Sequence, residues 1–283
     1  MASLRGEITE NIPPQPVVTE ARVDRDITQS MMDAIHEEGV YDPIETGGEA
    51  TVQLVQQRME WAEERSTVVF TSGVFDLLHP NHRAYLLHTK LEAVPFHFEK
   101  VTGESGTWDD LSEVEKMAYC QEVLTFGEIK LVVSVDGDAA VADRKGLKEE
   151  KGGTLRPIYS WQSRARDVLA ATTSIKLAEQ DISVPIADAV TIHDNVNKKL
   201  TGTPHDDILS IARLVEPDVW SIYYESQDIF DRLEGAEGAP FVNTEVVKLP
   251  GHEFYTDELL GGRFSTTAIS KRLGGVAAKN GTL

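Results

Sequence analysis

The chain has 283 residues, with 47 Asp plus Glu against 27 Lys plus Arg and a formal charge of −20. At about 150 residues per domain this is one large domain, or one domain with additions, long enough for a substantial core. The acidity argues against wrapping duplex nucleic acid, which needs a broad basic face, and against an anionic membrane surface.

With 41% hydrophobic and 26% charged residues, the composition is that of an ordinary folded protein. No stretch approaches the roughly 18 apolar residues of a membrane span. The amino terminus, Met1-Ala2-Ser3-Leu4-Arg5-Gly6-Glu7, lacks a signal-peptide core, so a cytoplasmic location is expected. Cys120 is the only cysteine, which excludes an intrachain disulfide and a thiolate metal cluster.

Residues 1–22, with Pro13, Pro14 and Pro16, read as a loose surface segment. Helix-like stretches follow at 26–39 and 49–64, separated by Tyr41-Asp42-Pro43 and Gly47-Gly48. Residues 1–65 therefore form an expected amino-terminal helical extension, and 66–283 the main domain. Thr67–Thr71 reads as a buried strand, and a helix is expected from Asn81 to Lys90, with Asn81 as its N-cap. Leu131–Val135 is strand-like, Arg164–Thr173 helical, Ala189–Ile192 a short strand, and 206–215 a helix. Pro217–Ile222 and Glu245–Leu249 are further strands, and a last helix starts near Thr267. Strands alternating with helices imply an α/β fold with a doubly wound parallel sheet.

The chemistry concentrates in Ser72-Gly73-Val74-Phe75-Asp76-Leu77-Leu78-His79-Pro80-Asn81-His82. A strand feeding a glycine turn and then a helix start aims backbone N–H groups at an anion. His79 and His82, three apart, share a side of that helix start and can donate to a triphosphate as charge develops on it. A zinc pair is a competing reading, but zinc helices usually space histidines by four, and no third ligand is evident.

The stretch from Gly73 to His82 resembles the Gly-x-Phe-Asp-x-x-His-x-Gly-His signature of the cytidylyltransferase-like nucleotidyltransferases, with Asn81 in place of the usual glycine. Heptose-phosphate adenylyltransferases and glycerol-phosphate cytidylyltransferases are the most similar members. The resemblance implies a Rossmann-like fold over residues 66–274, with an insertion at 94–130. It also implies a carboxy-terminal phosphate loop, which Arg263-Phe264-Ser265-Thr266-Thr267 resembles. Between these motifs lies a basic cluster: Arg144, Lys145, Lys148, Lys151, Arg156, Arg164 and Arg166.

By that resemblance His79, His82 and Lys145 are the catalytic residues. Nucleotide contacts fall to Ser72, Gly73, Val74, Phe75, Asp76, Asn81, Arg263, Ser265, Thr266 and Thr267. Arg156, Arg164 and Arg166 are expected at the acceptor, with strict alignment falling on Ala165 between the last two.

The reaction so implied transfers an NMP group from CTP or ATP to a phosphorylated small molecule, favouring a sugar or polyol phosphate, and releases pyrophosphate. Mg²⁺ would ride on the phosphates, with no metal site built by the protein. The expected partners are the NTP and the acceptor, with a homodimer allowed and neither nucleic acid nor membrane involved. The stretch Ser221-Ile222-Tyr223-Tyr224-Glu225-Ser226 replaces the Lys-Gly-Gly-Asp-Tyr of the heptose-type enzymes. That keeps two alternatives open: an adenylyltransferase of cofactor precursors such as nicotinamide mononucleotide or phosphopantetheine, and a decayed nucleotide-binding regulator.

Overall fold

A computed structural model describes residues 40–41, 48–103, 107–145, 157–177, 180–193, 208–223, 227–235 and 241–249. Its centre is a parallel sheet of six strands. These are β1 (Val40–Tyr41), β2 (Thr67–Gly73), β3 (Ile129–Asp136), β6 (Ala189–His193), β7 (Val219–Tyr223) and β8 (Glu245–Leu249). Across the sheet they run β1-β6-β3-β2-β7-β8, every pair parallel. Between β3 and β6, β4 (Thr172–Leu177) and β5 (Gln180–Pro185) form a separate antiparallel hairpin.

Strands this apolar require cover on both faces. Val69, Leu131, Val133 and Val135 point to one face, where they meet α2 (Pro80–Glu92), α3 (Val94–Thr102), α5 (Glu113–Phe126) and α7 (Trp161–Leu169). Val68, Phe70, Val132 and Trp220 point to the other, against α1 (Gly48–Glu63) and α8 (Ile208–Val215). Alternate residues serving opposite layers make this the doubly wound α/β arrangement expected. Three shorter helices complete the described elements: α4 (Thr107–Asp110), α6 (Asp138–Lys145) and α9 (Gln227–Glu234).

Several boundaries differ from the sequence reading. The helix expected over Arg164–Thr173 ends at Leu169, and Thr172 and Thr173 open β4 instead. Two β-branched threonines lead into Ile175, whose side chain packs with Val184, Leu87 and Leu124, so hairpin packing overrides continuation of the helix. Within residues 94–130, Val94 and Val123 are 0% exposed beneath the sheet. Ile129 opens β3. Cys120 is buried, and burial pushes its thiol up to about 11.

The amino-terminal extension is joined to the body. Val40 and Tyr41 pair with Val190 and Thr191 at the sheet edge. Leu54 and Trp61 of α1 enter the second core, and Arg58 donates to the carbonyls of Val215 and Glu216 where α8 ends. The helix expected at 26–39 and the one starting near Thr267 lie outside the described residues.

Candidate active site

In chain order the five longer strands stack 3-2-1-4-5, and the direction of winding reverses between β2 and β7. Open α/β sheets offer their ligand crevice at the carboxyl ends of the strands at that reversal. The loop after β2, residues 74–79, emerges there.

Two features fold this loop. Phe75 and Leu77 hold positive φ, at 46° and 144°. Asp76 is 0% exposed, and its Oδ1 accepts from the amides of Ile158 (2.7 Å) and Tyr159 (3.1 Å). A carboxylate fed by two N–H donors anchors the loop to the entry of α7. The Phe75 ring folds back over Gly73, where a Cβ would lie 2.9 Å from its Cε2 and Cζ, so a side chain at residue 73 would push that ring aside.

The next turn starts α2. His79, not Asn81, is the N-cap, and Pro80 occupies the first helical position. Pro80 has no N–H, and the amides of His82 and Arg83 donate to the His79 carbonyl. Pro80 therefore supplies no backbone donor at the first helical position. Asn81 is buried on the second residue of the helix.

The two histidine rings stack, centroids 3.7 Å apart and 19° from parallel. His82 is further fixed by Phe75, edge-on at 5.3 Å, and by a hydrogen bond between its Nδ1 and the Leu77 carbonyl at 3.0 Å. His79 is 7% exposed, while His82 is half-buried. The strained loop thus brings together Gly73, Phe75, Asp76, His79, Asn81 and His82. Ser72 and Val74 lie half-buried at its rim.

Arg164 does not stand where an acceptor could reach it. Trp161, Arg164, Ala165 and Val168 form the inward face of α7, and Arg164 is 0% exposed. Its guanidinium donates to the carbonyls of Val74 (2.6 Å), Asp136 (2.7 Å) and Tyr159 (3.1 Å), and to Asp138 Oδ1 (2.7 Å). It is a strut joining the ends of β2 and β3 to the entry of α7. Arg166, on the outer side, is half-buried.

No sequence motif surrounds His193. It lies 1% exposed between Ser134 Oγ, 2.7 Å from its Nδ1, and Asp136 Oδ1, 3.0 Å from its Nε2. The register that sets β6 beside β3 brings these residues together, and no sequence spacing announces it. His97 is likewise held, by Thr67 and Glu128. Lys145 lies in α6, and nothing of its side chain is described. Arg156, Arg263, Ser265, Thr266 and Thr267 lie outside the described residues.

Among the described residues no group of three or more His, Cys, Asp or Glu is placed to hold a metal ion. No described helix is long and apolar enough to cross a membrane.

No family model matches the chain, and no curated protein matches it. Among solved structures, one likeness is to the lipopolysaccharide core biosynthesis protein from Thermoplasma volcanium GSS1. It has 16% identity, covers 66% of this chain and 98% of that one, and has a TM-score of 0.35. A superposition that loose carries no functional weight.

Proposed function

We propose that the chain is a nucleotidyltransferase that moves an NMP group from CTP or ATP to a phosphorylated small molecule, a sugar or polyol phosphate first among them. One observation carries this reading: the stacked His79–His82 pair, held by a strained loop at the carboxyl end of β2 where the sheet reverses its winding. A phosphate oxygen of the acceptor attacks the α-phosphorus in line. The bond from that phosphorus to the bridging oxygen breaks, and pyrophosphate leaves with the electron pair.

The two imidazoles contribute by position at oxygens on which charge builds; His82 Nδ1 donates to the Leu77 carbonyl, so its Nε2 donates to a phosphate oxygen as an imidazolium. His82 is oriented by Phe75 and by the Leu77 carbonyl, so little reorganisation is needed at the moment of reaction. Lys145, Arg156 and Arg166, with the Arg263–Thr267 loop, are assigned the remaining phosphate contacts by their place in the sequence. Imidazoles are poor ligands for Mg²⁺, a hard cation that prefers oxygen, so the ion would be carried in on the triphosphate and would supply charge neutralisation there.

The test is pyrophosphate release with each NTP and a panel of phosphorylated acceptors in the presence of Mg²⁺. His82→Ala is expected to lower turnover about a hundredfold, the scale for losing one fixed donor. Its melting temperature should stay near that of the parent, because the side chain is half-buried at the protein surface. Near-normal turnover in that variant overturns the role given to His82. Absence of pyrophosphate release with every pair overturns the proposed activity.

A further inference from the structure

The loop Pro157–Ser160 is built as a presentation platform. Asp76 Oδ1 holds the amides of Ile158 and Tyr159, Arg164 Nε holds the Tyr159 carbonyl, and Ser160 caps α7 by accepting from the Ser163 amide. Two of those anchors, Asp76 and Arg164, are themselves 0% exposed. Yet the side chains on this fixed backbone face outward: Ile158 is 38% exposed and Tyr159 46%. Scattered single hydrophobics on a surface need no explanation. An adjacent aliphatic and aromatic pair, pinned through buried charges to a catalytic loop, is a different case. Ligand sites combine a few polar groups with rigid apolar walls of this kind.

Topology assigns the side of the crevice. The winding reverses between β2 and β7, the neighbour of β2 on one flank. The platform lies on the opposite flank, because Arg164 ties it to Val74 after β2 and to Asp136 at the end of β3. With the triphosphate drawn to the histidines at the reversal, the platform borders the side from which an attacking oxygen arrives.

We propose that Tyr159 and Ile158 form the acceptor wall, with the Tyr159 ring as the surface on which the ring of a cyclic sugar phosphate lies. The inference rests on the nucleotidyltransferase reading and narrows its acceptor to a ring-shaped one. The apolar C–H face of a pyranose covers an aromatic ring while its hydroxyls stay in water, and an amphipathic tyrosine accommodates both. Because the backbone is already anchored, little ordering cost accompanies the contact.

The experiment compares the full chain with Tyr159→Ala and Tyr159→Phe, using hexose 1-phosphate as the cyclic probe and glycerol 3-phosphate as the acyclic one. In steady-state pyrophosphate release, Tyr159→Ala should raise KM for hexose 1-phosphate about fivefold, within the range of an aromatic contact. KM for the NTP should change less than twofold, and Tyr159→Phe should restore the acceptor KM. An unchanged acceptor KM, a rise in the NTP KM instead, or an equal rise for glycerol 3-phosphate overturns the inference.

Calorimetric binding of hexose 1-phosphate decides the matter independently of turnover. Weaker binding by Tyr159→Ala supports the wall even where no pyrophosphate is released, a result that defeats the proposed reaction alone. Equal binding, or no binding by the parent chain, overturns the wall.

Discussion

Arg164 offers the sharpest test of how the site is held. Replacing it with Met keeps an unbranched apolar stem and removes the guanidinium. Three backbone carbonyls then lose a donor: Val74, Asp136 and Tyr159. At about 1 kcal/mol net for each such bond, the loss is about 3 kcal/mol. The ion pair with Asp138 adds little, because that carboxylate is 41% exposed and rehydrates once its partner is gone. Relief from burying a cation works the other way, and apolar replacements of buried pairs are sometimes neutral. The balance is a destabilisation of about 2–3 kcal/mol, since three unsatisfied carbonyls remain where a satisfied network stood. Urea unfolding followed by far-UV circular dichroism reads it as a lower midpoint at constant slope. Arg164→Lys should fall between, because a single ammonium cannot span four acceptors at fork geometry. A loss for Arg164→Met below about 1 kcal/mol refutes the strut, because the carbonyls would then have found other partners.

Two further outcomes follow from packing and burial. Gly73→Ala places a Cβ 2.9 Å from the Phe75 ring, so the ring that orients His82 must move. Turnover should drop at least tenfold while stability falls by about 1–2 kcal/mol, and unchanged kinetics would show that the Phe75 contact does not set the histidine. Burial lowers the proton affinity of His97, with Glu128 opposing, so the unfolded chain binds a proton that the folded one resists. His97 therefore supports the fold fully above about pH 6.5, and that support fades as pH falls from there toward the folded value. Burial raises Glu92 and Asp167, which act in the opposite sense at lower pH, so the comparison is by difference. Melting temperature measured from pH 7.5 to 5.5 should decline less steeply in His97→Gln than in the parent. Parallel slopes would remove His97 as the cause.

Local rules made the central strands legible. Thr67–Thr71 and Leu131–Val135 carry uninterrupted apolar runs because both their faces are covered, and the structure extends each by one to three residues. The histidine turn was legible because a strand, a glycine and a helix start follow one another within the sequence. What escaped was set by contacts across the chain. Arg164 sits at a helical position that composition alone reads as solvent-facing. Its role depends on carbonyls 90 and 28 residues earlier. The Ser134–His193–Asp136 cluster exists only because the register pairs Asp136 with His193. The β4–β5 hairpin escaped for the same reason, its first two residues, Thr172 and Thr173, being read as the end of a helix. Its buried residues, Ile175 and Val184, cluster with Leu87 of α2 and Leu124 of α5, far away in the sequence.

Charge supplies the last step. Around the histidine loop the described carboxyl side chains are Asp76, Asp136 and Asp138, and the cation tied among them is Arg164. That set is not electropositive, and it belongs to a chain of formal charge −20. A triphosphate held there must be paid for by cations from elsewhere in the chain. The sequence places them in two segments, Arg144 to Arg156 and Arg263 to Arg272. The first begins within the last turn of α6 (Asp138–Lys145), and the second comes after β8 in the sequence. On the proposed reading, the described scaffold supplies geometry and these two segments would supply charge. This division explains why a strongly acidic protein can concentrate seven cations within residues 144–166 without forfeiting the acidity of its remaining surface.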